Sequence, residues 1–151
     1  MENMDQKKKV LFVCVHNSAR SQMAEALLNT MAGDGYEAQS AGLEPGSINP
    51  LAADVMNEIG LDISGNRTKG ISDFISNAIK FHYVITVCDE TGAEQCPVFP
   101  GAGERFHWSF RDPSGLKGDQ ETRLNETRKI RDEIKTKIIE WLKTIDHKED
   151  K

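Results

Sequence analysis

No apolar run in these 151 residues approaches the roughly 18 that a membrane span requires. The charged start MENMDQKKK and the short apolar segment behind it also lack the length and cleavage site of a secretory signal. A cytoplasmic protein with no membrane partner is therefore expected. Positive charge is in the minority: 19 Lys and Arg against 24 Asp and Glu leave a net charge of −5, and no basic cluster follows Lys7 to Lys9. A nucleic-acid partner would need a basic face to neutralise phosphates, so none is expected. Cysteine is scarce and odd in number. Cys14, Cys88 and Cys96 cannot build a disulfide framework in a chain with no export signal, and their spacing matches none of the paired ligand rhythms of a zinc site. Reactive thiols are the better reading. The loops G-x-x-x-x-G-K-[ST] and G-x-G-x-x-G, which would hold a nucleotide, are both missing.

What is present reads as one domain with alternating elements. VLFV at 10–13 is a continuous apolar run, the mark of a strand covered on both faces. Met23, Leu27 and Met31, with Ala24 and Leu28 beside them, recur at helical spacing, and Gly33 and Gly35 supply a stop. YEAQSAG at 36–42 reads as a second strand. Asn49-Pro50 offers a cap and a first-turn proline for a helix with Leu51, Val55, Met56 and Ile59 as its stripe and Gly60 as its end. A weaker helix is predicted over about 71–79 with Phe74, Ile75 and Ile79 inward. HYVITV at 82–87 and RFHW at 105–108 follow as strands. From Glu121 the spacing of Leu124, Ile130, Ile134, Ile138, Trp141, Leu142 and Ile145 predicts a long final helix. The fold class is α/β: a single-domain three-layer sandwich, a four-stranded parallel sheet with helices on both faces, spanning 1–151 with about 1–8 and 146–151 flexible.

Open parallel sheets place their ligand crevice outside the carboxyl ends of the strands. Cys14 ends the first strand, Cys88 the third, and the loop SFRDPSG with Asp112 leaves the fourth. Three reactive groups should meet on one sheet edge. Between Cys14 and Arg20 lie Val15, His16, Asn17, Ser18 and Ala19, and the helix is expected to start around Ser18 to Ser21. Such a loop can wrap a tetrahedral oxyanion. Its successive N–H groups form a nest, the helix N-terminus adds partial positive charge, and Arg20 grips two oxygens as a planar fork. Those donors also favour a thiolate on Cys14, the nucleophile at the bottom of the cup, with Ser18 and Ser21 hydroxyls able to add hydrogen bonds. Asn17 suits left-handed backbone geometry and organises the loop. His16 is ambiguous between an electrostatic helper and a plain loop residue. Asp112, ahead of Pro113, is placed to protonate a departing oxygen.

The strings Cys14-Val15-His16-Asn17-Ser18-Ala19-Arg20-Ser21 and Asp112-Pro113, with Ser40-Ala41-Gly42 and the Asn49-Pro50 helix start, resemble the low-molecular-weight protein tyrosine phosphatase superfamily over nearly the whole chain. Within it, TVCDETGAEQCPVFPG is similar to the cysteine pair of the thioredoxin-coupled arsenate reductases, and DPSG lacks the aromatic residues with which phosphatases clamp a phenol ring. The resemblance implies a relay. Cys14 attacks arsenate held by Arg20 and the loop amides, and Asp112 protonates the leaving oxygen. Cys88 then attacks Cys14 as arsenite departs, and Cys96 takes over the disulfide for an external thiol reductant, thioredoxin or glutaredoxin. No tightly bound cofactor is implied, and a monomer is expected. A phosphatase working through a Cys14 phosphocysteine is the alternative. Some relatives bind potassium near the loop; Asn17, Glu25 and Ser40 could correspond, but SGNRTKGISD lacks the expected acid, so no metal is predicted. If 88–96 were helical when reduced, eight rises of about 1.5 Å would separate the Cys88 and Cys96 Cα atoms by about 12 Å, too far for a disulfide. A redox-dependent rearrangement of 88–97 is predicted.

Overall fold

The computed structural model describes residues 7–44, 46–76, 80–88 and 102–149. Four strands, β1 (Lys8–Cys14), β2 (Tyr36–Gly42), β3 (Phe81–Thr86) and β4 (Ala102–His107), pair in the order β2-β1-β3-β4, all parallel. The helices are α1 (Arg20–Ala32), α2 (Pro50–Asn57), α3 (Ile71–Ser76) and α4 (Gln120–Glu149), and a 3-10 turn spans Pro113–Gly115. This is the four-stranded parallel sheet with helices on both faces that the alternating pattern predicts.

Side chains of β1 alternate between two cores. Val10, Phe12 and Cys14 join α1, α2 and α4 residues, among them Met23, Leu27, Val55, Met56, Ile130 and Ile134. Leu11 and Val13 turn to the opposite face, where Ile71 and Phe74 of α3 meet Phe81 and Val84 of β3. Each fully buried side chain of this size contributes about 1.5–3 kcal/mol. A strand apolar on both faces is thus required by the layering. Trp108, just past β4, packs tilted or edge-on against Phe12, Phe110 and Trp141. That aromatic joint fixes where the chain leaves β4 toward Asp112.

Three expectations are corrected. The helix with Asn49 as cap ends at Asn57, and Ile59, expected in its stripe, is exposed in the turn that reaches Gly60 at φ +83°. Ile75, expected inward, is exposed because α3 is only six residues long and Ile71 and Phe74 already occupy its sheet-facing side. The N-terminus of α1 has Ala19 at its cap position and no side-chain cap, although the sequence reads as a capped helix. The Asn49 cap does form, its side chain accepting from the N–H groups of Leu51 and Ala52. Residues 77–79, the end of the predicted weaker helix, lie outside the described residues.

At the far end of the domain, Arg128 and Arg131 of α4 converge on Glu58 just after α2. The hydrogen bond from Arg128 holds the Glu58 carboxyl below the ordinary glutamate range, and Lys129 and Arg111 do the same for Glu126. A carboxylate whose folded-state value is depressed adds stability above its unfolded value, about 4.3, and loses it as pH falls through the folded one. Thermal melts from pH 6 to pH 3 should show a falling midpoint below about pH 4.3. Glu58→Gln should flatten that fall.

Candidate active site

The crevice forms where the chain order reverses. From β1 the chain runs to β2 on one side, and β3 pairs on the other, leaving a gap at their carboxyl ends. Cys14 is the last residue of β1, level with Gly42 at the end of β2. The loop behind Cys14 is pinned from outside by the segment after β2. Leu43, Glu44, Gly46 and Asn49 donate backbone N–H groups to the carbonyls of Cys14, Val15, His16 and Ser18, at 3.2, 2.8, 3.0 and 2.9 Å. In a trans peptide the carbonyl and the next N–H point in opposite directions. Four carbonyls drawn outward therefore aim the N–H groups of Val15, His16, Asn17 and Ala19 inward. The Asn17 N–H reaches the Cys14 Sγ at 3.2 Å, which gives the direction of the cup.

Gly42 makes that pinning possible. A Cβ there would lie 2.7 Å from both the Asn17 nitrogen and the Val15 oxygen, backbone atoms that cannot swing aside. Gly42→Ala should cost about 2 kcal/mol, lowering the melting midpoint by roughly 4–8 °C. It should also weaken the protection that inorganic phosphate gives Cys14 against alkylation. Both are read by calorimetry and by iodoacetamide trapping.

Inside the cup, polar side chains form a directed chain. Asn17, at φ +56°, is fully buried. Its carboxamide oxygen accepts from Gln22 Nε2 (2.9 Å) and from the backbone N–H of Lys69 (2.8 Å), so its amide nitrogen faces the Ser21 Oγ at 2.8 Å. The Ser21 hydroxyl in turn lies 3.0 Å from the Cys14 Sγ, and it is the donor there when the sulfur is a thiolate. A thiolate sulfur here would receive an N–H and an O–H in a pocket where it is 2% exposed. No side chain caps α1, so its terminal N–H groups and partial positive charge serve the same cup.

Arg20, the first residue of α1, is 3% exposed and reaches across to the acid loop. Its Nη1 donates to the Phe110 carbonyl at 3.1 Å, and its Nη2 lies 3.4 Å from Asp112 Oδ2. The other Asp112 oxygen accepts from the backbone N–H and hydroxyl of Ser114, at 3.0 and 2.8 Å, closing the 3-10 turn that begins at Pro113. Thiol, guanidinium and carboxyl, almost a hundred residues apart in sequence, are brought to the same end of the sheet.

Cys88 lies two residues past β3, where the Val87 N–H on the Val13 carbonyl holds the chain beside β1. It is 1% exposed and belongs to the same buried cluster as Cys14. Cys96, and all of the predicted rearranging segment 88–97 except Cys88, lie outside the described residues. Ser18 is half-buried, Val15 and Ala19 are buried, and His16 is exposed with its Nδ1 3.0 Å from the Glu44 carbonyl. A carbonyl only accepts, so Nδ1 carries the hydrogen and Nε2 is the basic position. Sequence reasoning missed Gln22. Fully buried, it also donates to the Arg67 carbonyl and accepts from Asn66 Nδ2, tying the 66–69 segment to the loop. Its only signal is its place in the turn after Arg20-Ser21, because nothing in the apolar periodicity marks a glutamine as interior.

A family model described as low molecular weight phosphotyrosine protein phosphatase matches residues 9–151. The chain belongs to this family. Among its relatives in the family, the arsenate reductase of Bacillus subtilis is 39% identical over 146 residues, covering 95% of this chain and 99% of that protein. An arsenate reductase solved in its phosphate-binding state superposes with a TM-score of 0.74 at 33% identity, covering 91% of this chain and 98% of the other. The thioredoxin-dependent arsenate reductase of Corynebacterium glutamicum gives 0.68 at 34% identity, over 95% of this chain and 64% of that one. As a low molecular weight phosphatase homologue, the chain has its strand, loop and helix, with the thiol at their junction, inside the matched range.

Proposed function

We propose that this protein reduces arsenate to arsenite through a thiol relay, with thioredoxin as the external reductant. The observation that carries the reading is a second cysteine, Cys88, buried in the same cluster as the cup thiol Cys14. Phosphate-ester hydrolysis needs one thiol, whereas turning As(V) into As(III) needs two electrons, which a pair of thiols supplies. The names of the relatives support the same choice. So does the acid loop, where Pro113-Ser114-Gly115 offers nothing aromatic to stack on a phenol ring.

Arsenate enters the cup as a dianion, its oxygens on the inward N–H groups and the Arg20 fork. The Cys14 thiolate forms an S–As bond, and the departing As–O oxygen takes a proton from Asp112 and leaves as water. The Cys88 thiolate then attacks the Cys14 sulfur. The S–As bond breaks with its electron pair on arsenic, arsenite leaves, and a Cys14–Cys88 disulfide remains. Cys96 attacks Cys88, releasing the Cys14 thiolate, and the Cys88–Cys96 disulfide is reduced by the dithiol of thioredoxin. The protein acts as a cytoplasmic monomer with no resident metal or tightly bound cofactor. The cup holds any tetrahedral oxyanion, so slow phosphomonoester hydrolysis through a Cys14 phosphocysteine is the second reading.

Arsenate-dependent NADPH consumption with purified thioredoxin and thioredoxin reductase tests the proposal, with a glutaredoxin system run alongside. Turnover with thioredoxin is the expected result. Turnover with glutaredoxin alone would replace the reductant. No turnover in either system, together with rapid phosphotyrosine cleavage, would make the protein a phosphatase.

A further inference from the structure

The thiol loop leans on a charge that lies outside it. Glu25 sits on α1 about a turn beyond Ser21, mostly buried, and one of its oxygens accepts the Ser40 hydroxyl at 2.6 Å. That same oxygen lies 3.6 Å from the Lys69 ammonium. Lys69 is held at its backbone as well. Its N–H donates to the Asn17 carboxamide oxygen and its carbonyl accepts the Gly42 N–H, both at 2.8 Å. One residue therefore touches α1 through its side chain, the thiol loop through its amide and the end of β2 through its carbonyl.

We infer that Lys69 is a positioning residue for the Cys14 thiolate, its ammonium serving as a built-in cation that locks the Asn17 carboxamide in its active orientation. The Asn17 amide nitrogen faces Ser21 only because the carboxamide oxygen is taken by Lys69 and Gln22. Were the carboxamide to turn, Ser21 would face an acceptor, and its hydrogen would leave the sulfur. The segment carrying Lys69 has little of its own to keep it in place. Between α2 and α3 its regular pairing is a single bridge, Gly42 with Gly70. The Thr68 hydroxyl on the Gly46 carbonyl and the Gln22 contacts add tethers, and among the described residues the ion pair to Glu25 is the charged one. It also neutralises a mostly buried carboxylate that would otherwise repel a dianion entering nearby.

The experiment is iodoacetamide alkylation of Cys14 at pH 7 in the full chain with Cys88 and Cys96 changed to serine. It rests on Cys14 being the reactive thiol of the proposed reaction but needs no arsenate, so its failure is separate from failure of the reductase reading. Lys69→Met keeps the length and removes the charge, and alkylation should slow roughly three- to tenfold. Ammonium chloride at 0.2 M should restore most of the rate in Lys69→Ala, whose shortened side chain leaves room for a small cation. Tetramethylammonium chloride at equal ionic strength should not. Glu25→Gln should give a similar loss, and the double variant Lys69→Met with Glu25→Gln should be no worse than either single one. If Lys69→Met does not fold, as judged by circular dichroism, Glu25→Gln carries the comparison. An unchanged rate, or equal response to both salts, would overturn the inference.

Discussion

Cys14→Ser is expected to lower arsenate reduction and phosphomonoester cleavage together, each by at least about 10⁴-fold. A thiolate sulfur in the cup would accept from the Asn17 N–H at 3.2 Å and the Ser21 hydroxyl at 3.0 Å. A serine hydroxyl there meets donors only. Among the described residues its hydrogen-bond partners are the Asn17 N–H and the Ser21 hydroxyl, neither of them a general base, and an alcohol without a base is a poor nucleophile at neutral pH. Reduction suffers a second loss, because an oxygen cannot pass an electron pair onward as a disulfide. Binding should survive. The inward N–H groups and Arg20 belong to the backbone and the neighbouring helix, so inorganic phosphate should bind Cys14→Ser within about tenfold of the parent, as calorimetry would read. Loss of chemistry with retained binding separates the nucleophile from its cradle. Loss of both would mean that the sulfur also organises the loop.

The parts of this site that could be read from sequence are those where one short stretch carries its own reason. VLFV followed by Cys14 and Arg20 already specifies a buried strand, a turn rich in N–H donors and a helix start, and the structure has β1, the loop and α1 there. The Asn49-Pro50 start was legible for the same reason, since a cap acts within three residues. What escaped depends on distant chain. Gln22 and Lys69 matter because the 66–69 segment lies against the loop, some 45 residues further on, and no local periodicity encodes that contact. The absent side-chain cap on α1 inverts a local rule. Ala19 leaves the helix N-terminus to the cup, and a stabilising cap is forgone where an anion is to be held. The exposure of Ile59 and Ile75 follows from helices that end before their stripe does. For Gln22 and Lys69, neighbours far away in sequence decided what no local pattern carries.

Cys96→Ser should bring multiple-turnover arsenate reduction with thioredoxin to below about one hundredth of the parent rate, while phosphomonoester cleavage stays within about twofold. In the proposed relay two electrons pass through three sulfurs. Without Cys96, Cys14 would still form its bond to arsenic, and Cys88, buried in the same cluster, would still displace arsenite. One equivalent of arsenite per protein should therefore appear in a single-turnover experiment. The chain then stops as a Cys14–Cys88 disulfide, and both of these positions are at most 2% exposed in the reduced protein. A protein dithiol must bring its own sulfur in line with the bond it attacks, so a disulfide at that depth reacts slowly with thioredoxin. A small thiol such as dithiothreitol reaches further and should restore part of the turnover. Cleavage of a phosphate ester through the proposed Cys14, Arg20 and Asp112 would need neither Cys88 nor Cys96, which is why it should be spared. Full thioredoxin-linked turnover in Cys96→Ser would remove Cys96 from the relay. Equal loss of both activities would point instead to a fold that needs the residue.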